Sequence, residues 1–178
     1  MKRSRWLKPA LISLVVMVLG FVAVLSQPTQ PTWQLGQTVA PPELLEQIAQ
    51  DNLNPEVPID PGKMHVLKIR QIGQAYPLYL IDTRLAQSEG QPLCGAVGCA
   101  FWAYRPTATG FQQVFSAYLN PHLPPGTPFV EPLPILDNGL PQLTVHQLDE
   151  TVLQHLTLAF NGQIYAITHV DYLPISYE

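Results

Sequence analysis

The sequence predicts an α+β chain, mainly antiparallel β: an N-terminal membrane helix, one short helix, then a small β-rich extracytoplasmic domain. Three observations lead there. Proline supplies 19 of the 178 residues, and a proline inside a helix costs about 3 kcal/mol, which argues against a helical bundle. A basic N-terminal tip is followed by a long apolar run. From Lys63 onward apolar and polar residues alternate with a period of two, as strands with one buried face do. The length suits one domain with an appendage: 1–26 as signal anchor or signal peptide, 27–61 as a Pro-rich linker with a short helix, and 62–178 as the β-rich domain.

Lys2, Arg3, Arg5 and Lys8 flank residues 10–25, where Ser13 is the only hydroxyl and Gly20 the only break. At 1.5 Å per residue the run spans about 24 Å, somewhat less than a hydrocarbon core of roughly 30 Å. It reads either as an uncleaved anchor or as the apolar part of a signal peptide cleaved near Val24-Leu25-Ser26. Both readings keep the cations in the cytoplasm and send the rest of the chain across the membrane. The expected location is therefore membrane-anchored, facing the periplasm or a thylakoid-type lumen, or secreted after cleavage. Residues beyond 26 carry five basic and thirteen acidic side chains, a net charge of −8. So acidic and charge-poor a domain lacks the cationic face that phosphate binding needs, which excludes nucleic acid as a partner. The membrane is the expected partner, through the N-terminal segment, and a membrane-protein partner fits the tether.

Residues 27–42 read as a spacer stiffened by Pro28, Pro31, Pro41 and Pro42. Pro42 suits the first turn of a helix that ends near Asn52, with Leu44, Leu45, Ile48 and Leu53 as its apolar stripe. Strands are expected at 64–69 and 76–82 around a turn at Gly73, and at 101–105 and 111–118 around Thr107-Ala108-Thr109-Gly110. Seven prolines between 121 and 141 predict an irregular crossing segment. Three strands at 142–148, 153–160 and 163–169 form a meander whose second turn is Asn161-Gly162.

That meander fixes a register. A turn at Glu150-Thr151 pairs Leu143 with Leu158 and Val145 with Leu156, and a two-residue turn at Asn161-Gly162 pairs Phe160 with Gln163 and Leu158 with Tyr165. One face collects Leu143, Val145, Leu156, Leu158, Phe160, Tyr165 and Ile167 and is the expected core. The other carries Thr144, His146, His155, Thr157, Ala166 and Thr168.

The same register sets His146 opposite His155, where facing Cβ atoms lie about 5 Å apart and two imidazoles come within reach of one metal ion. Two histidines are an incomplete ligand set, and a half-exposed Thr/His sheet face is the commoner outcome of such a pattern. His65, His122 and His169 stand alone in sequence. Cys94-Gly95-Ala96-Val97-Gly98-Cys99 has too long a gap for a C-x-x-C redox motif, and two cysteines do not complete a zinc site. Its glycines suit a tight ring, so Cys94 and Cys99 are assigned to a local disulfide. Asp82, Asp137, Asp149 and Asp171 are candidate carboxylates that sequence alone does not pair, and Tyr79, Trp102, Tyr104, Tyr118, Tyr165 and Tyr172 suit core or groove positions. The sequence contains no nucleophile elbow, phosphate-binding loop, calcium loop or zinc-protease helix, and no cofactor is expected.

The Cys-Gly-x-x-Gly-Cys segment, then Asp137-Asn138-Gly139-Leu140-Pro141-Gln142-Leu143, then Asn161-Gly162-Gln163-Ile164-Tyr165, resembles uncharacterised bacterial, cyanobacterial-type, membrane-anchored exported proteins. The likeness spans about 92–172 and rests on turn markers. It is similar in kind to short FG-GAP-like β modules, without their calcium loop. The resemblance implies a small β-rich extracytoplasmic domain and no activity. The functional expectation is a membrane-tethered, non-enzymatic binding or assembly module. The alternatives are an exported hydrolase or thiol redox enzyme, and a metal-binding protein using His146 and His155.

Overall fold

The computed structural model describes residues 31–56, 58–86, 90–120, 122–149 and 152–174. The expected membrane segment at 10–25 lies outside them. Among the described residues no helix is long and apolar enough to cross a membrane.

Structure begins earlier than the spacer expectation allowed. A two-residue strand β1 (Gln34–Leu35) pairs with β2 through Gln34–Val66 and Leu35–His65, and a single turn α1 (Gly36–Val39) follows it. Helix α2 (Pro42–Asn52) has Pro42 in its first turn and Glu43 at its positive end. Leu44 and Ile48 are fully buried, with Leu45 and Leu53 packed beside them, so the expected stripe is the face that docks.

The strands are β2 (His65–Ile69), β3 (Leu78–Asp82), β4 (Cys94–Gly95), β5 (Gly98–Thr107) and β6 (Gly110–Leu119) in one antiparallel sheet. A second sheet is the meander β7 (Val130–Asp137), β8 (Leu140–Asp149), β9 (Val152–Phe160) and β10 (Tyr165–Pro174). In the first sheet β5 is the hub. β3 pairs with its residues 101–104 and β4 with 98–99, while β6 runs along 99–107.

The layers follow from which side chains share a core. Leu67, Leu78, Leu80, Phe101, Ala103 and Val114 of the first sheet pack against Leu143, Val145, Leu158, Phe160 and Tyr165 of the second. The opposite face of the first sheet, with Met64, Val66, Tyr79, Ile81, Trp102 and Tyr104, is covered by Leu44 and Ile48 of α2. The result is a helix, a sheet buried on both faces, and a sheet buried on one. At about 25 cal/mol per Å² of apolar surface removed from water, the doubly buried strands β3 and β5 are where stabilisation concentrates.

Two expectations about the second sheet need correction. The proline-rich crossing segment contains strand β7, with Pro132 and Pro134 inside it. Among the described residues β7 pairs only with β8, and its register shifts between Pro132 and Leu136, so neither proline need donate to a continuous ladder. The β9–β10 register is also two residues from expectation: Tyr165 faces Phe160 and Ile167 faces Leu158. Asn161 causes the shift, because its Oδ1 accepts from the backbone N–H of Gln163 and of Ile164, closing a four-residue loop in place of a two-residue turn. A shift of two leaves Tyr165, Ala166 and Ile167 on their expected faces, and the bulge between Ile167 and His169 then puts His169 on the outer face opposite Thr157. The β8–β9 register stands as read, with Leu143 facing Leu158 and His146 facing His155. Ile167 alone of the expected core is 58% exposed, beyond the cover of the first sheet.

Candidate functional site

The outer face of the second sheet gathers the histidines. On β8, Val145 turns into the core, so His146 points to the opposite side, and its backbone N–H donates to the Phe129 carbonyl at 3.1 Å. His155 on β9 faces it, with ring centroids 4.4 Å apart at an interplanar angle of 90°. Asp171 on β10 faces His155 in turn, which makes His146, His155 and Asp171 one row across three strands. His169 Nε2 lies 3.0 Å from Asp171 Oδ1.

His146 is buried, and its Nδ1 has no hydrogen-bond partner. Burial pushes its pKa below the usual 6.5 and the neighbouring His155 pushes the same way, against weaker opposition from the Pro128 carbonyl and Glu131. The edge-to-face rings pack upon each other, so sharing a cation requires one ring to turn. Among the described residues no group of three His, Cys, Asp or Glu is placed to hold a metal ion.

Cys94 and Cys99 are directly opposed across the β4–β5 pair and joined by a disulfide, with Cα atoms 3.9 Å apart. The hairpin turns through Ala96-Val97, and Cys99 reaches the core between the sheets. No free cysteine remains, so in this structure neither sulfur is a thiolate.

The remaining candidates separate. His65 faces Asp82 across β2 and β3. Asp82 is buried and held by the Arg84 guanidinium, whose Nε lies 2.9 Å from both carboxylate oxygens. That hydrogen bond raises the Arg84 pKa further, and the guanidinium stays charged above the stacked rings of Phe101 and Phe129. Asp137 accepts from Gln142 Nε2 at 2.7 Å, and His122 is exposed beside Asn120. The side chain of Asp149 lies outside what the structure describes. Tyr79, Trp102, Tyr104 and Tyr165 are core residues, whereas Tyr118 and Tyr172 are exposed.

Three features escaped the sequence reading. One is the Asp82–Arg84 fork, for which the spacing Asp-x-Arg after a strand was the available signal. Another is a polar chain beneath α2: Asn52 Nδ2 donates to the Tyr104 hydroxyl at 2.6 Å, the hydroxyl donates to Asp51 at 3.1 Å, and Gln113 donates to Asn52 at 3.0 Å. Burial first, then Asp51, raises the Tyr104 pKa, so this hydroxyl remains a donor. The third is an open cavity of about 460 Å³ bordered by Pro58, Ile59, Asp60, Lys63, Leu85 and Gln91. Its polar groups are occupied: Gln91 bonds both the N–H and the carbonyl of Leu85, and Asp60 accepts from the Gly62 N–H.

Comparison of the chain with protein-family models, curated proteins and solved structures finds no match. The outer histidine row and the strand that closes it, β10, form the surface with most unspent chemistry. Ile167, Tyr172 and Leu173 of β10 are exposed, and among the described residues its only ladder partner is β9.

Proposed function

We propose that the chain is a membrane-tethered, non-enzymatic binding or assembly module whose folded part faces the periplasm or a thylakoid-type lumen. The observation that carries this reading is the open edge of β10, a ten-residue strand with three large apolar side chains in solvent. Soluble proteins normally blunt such an edge, because its free N–H and C=O groups recruit another strand. Support for the compartment comes from the basic tip and apolar run at the N-terminus, and from a disulfide of the kind that persists outside reducing cytoplasm. Crosslinking the full chain in its own membranes, followed by pull-down, should recover it joined to a partner. Recovery solely as an uncomplexed species overturns the reading.

A second reading is favoured by one observation, the buried and unpartnered Nδ1 of His146 beside His155. On it, the pair takes up zinc or copper once one of the edge-to-face rings turns. Titration with either metal should then lose affinity in His146→Ala. Equal affinity in the variant disposes of it.

A further inference from the structure

The edges of the two sheets are not protected alike. β7 carries Glu131, Pro132 and Pro134 and a break in register. β6 shifts register against β5 between Ala103 and Tyr104, and Gln113 ties it to α2. β1 is two residues long. Lysine, proline, bulges and short length are the usual defences against edge pairing. From Tyr165 to Leu173, β10 has neither lysine nor proline, and its one bulge lies between Ile167 and His169. Between that bulge and Pro174, which ends the strand, His169 to Leu173 is an edge that no described residue pairs with.

Its sequence is complementary to itself. Two copies of one edge strand pair antiparallel about a two-fold axis normal to the sheet, an operation that keeps each face on its own side. Opposed residues must then lie on the same face, so the axis passes through a residue and not between two. Centring it on His169 sets histidine against histidine, and centring it on Asp171 sets carboxylate against carboxylate. Centring it on Val170 sets His169 opposite the second copy's Asp171 and Asp171 opposite the second copy's His169, both on the outer face. Val170 meets its own counterpart on the inner face, where Tyr172 is 65% exposed. Opposed side chains in such a pair have Cβ atoms about 5 Å apart, so the 3.0 Å contact that His169 and Asp171 make within each chain would be exchanged for one across the axis.

We propose that the partner at this edge is a second copy of the chain, joined β10 to β10 in the register centred on Val170, so that two four-stranded sheets become one of eight. This rests on the assembly reading above and names its partner. The Thr168 bulge limits the regular ladder to the residues from His169 to Asp171, with Tyr172 packing at its ends. The axis also brings the two outer His/Asp rows together into one continuous polar strip.

The test is cysteine crosslinking of the full chain in its membranes. The native cysteines are already bonded to each other, so an added one reports alone. Oxidation of Val170→Cys should give a covalent dimer on a non-reducing gel. Leu173→Cys should not, because its two copies sit six residues apart, roughly 20 Å along the strands. A dimer from Leu173→Cys but not from Val170→Cys overturns the register. A charge swap supplies an independent arm in detergent solution: Asp171→His should weaken dimerisation about tenfold, and His169→Asp with Asp171→His should restore it. Equal dimerisation in all three chains overturns the His/Asp pairing. If Val170→Cys forms no self-dimer while a crosslinker captures a different protein, self-pairing fails and the assembly reading stands. If neither forms, both fail.

Discussion

Gly98 holds the disulfide hairpin in a conformation closed to other residues. Its φ is +115°, and a Cβ there would lie 2.3 Å from the Leu119 carbonyl oxygen on β6. Gly95, its partner across the hairpin, has open space where a Cβ would go. Gly98→Ala should therefore destabilise by at least the roughly 1–3 kcal/mol of a strained backbone, while Gly95→Ala stays within about 0.5 kcal/mol, as urea unfolding would read. The disulfide closes a six-residue ring, and loop entropy assigns it about 2 kcal/mol. Reduction should lower the melting temperature by roughly 4–8 °C in calorimetry. His146 sets a pH limit. Burial and His155 hold its folded pKa below the unfolded value near 6.5, so the unfolded chain binds the proton first as pH falls. Its contribution is complete above pH ~6.5 and is lost as pH falls through that value toward the folded pKa. His146→Phe, which keeps a ring against His155, should flatten the loss of stability between about pH 7.5 and 5. Sequence located this histidine, its neighbour and the cysteine ring, because each depends on residues close along the chain. Burial of His146 was not visible, since it depends on Pro128 and Phe129 arriving from the far side of a proline-rich loop.

Helix α2 acts as the lid of the first sheet. Its two fully buried residues meet Met64, Val66, Tyr79 and Ile81, and the Asn52–Tyr104–Asp51 chain locks its C-terminal end onto β5. Leu44→Ala should therefore cost about 2–5 kcal/mol in denaturant unfolding, far more than truncating a side chain in a spacer would. The helix itself was legible from Pro42, the apolar stripe and the prolines after Leu53. Its membership in the core was not, because an amphipathic stripe says that a face is buried and not what buries it. Strand β7 illustrates the opposite failure. Prolines that forbid a central strand permit an edge one, and edge position is a property of the sheet. The β8–β9 register was readable since alternation on two adjacent strands constrains it, whereas Asn161 redirected the following turn through its own side chain.

The architecture as a whole joins two sheets through one set of side chains. β3 and β5 are buried on both faces, so Leu-Tyr-Leu-Ile-Asp and Ala-Phe-Trp-Ala-Tyr lose the polar alternation that betrays a sheet with one wet face. Mainly antiparallel β was readable from period and turn residues. Two sheets with a helical cover was not, since nothing local distinguishes a sandwich from a single curled sheet.

The order of the strands carries a kinetic consequence. Every ladder in the second sheet joins strands that are neighbours in sequence, and in the first only β3 reaches past one strand, to β5. Each pairing thus closes a short loop, which keeps the entropic barrier low and the contact order modest for a β protein. Such a topology predicts folding hairpin by hairpin, with the β5–β6 hairpin and the four-stranded meander forming separately and docking last across the core they share.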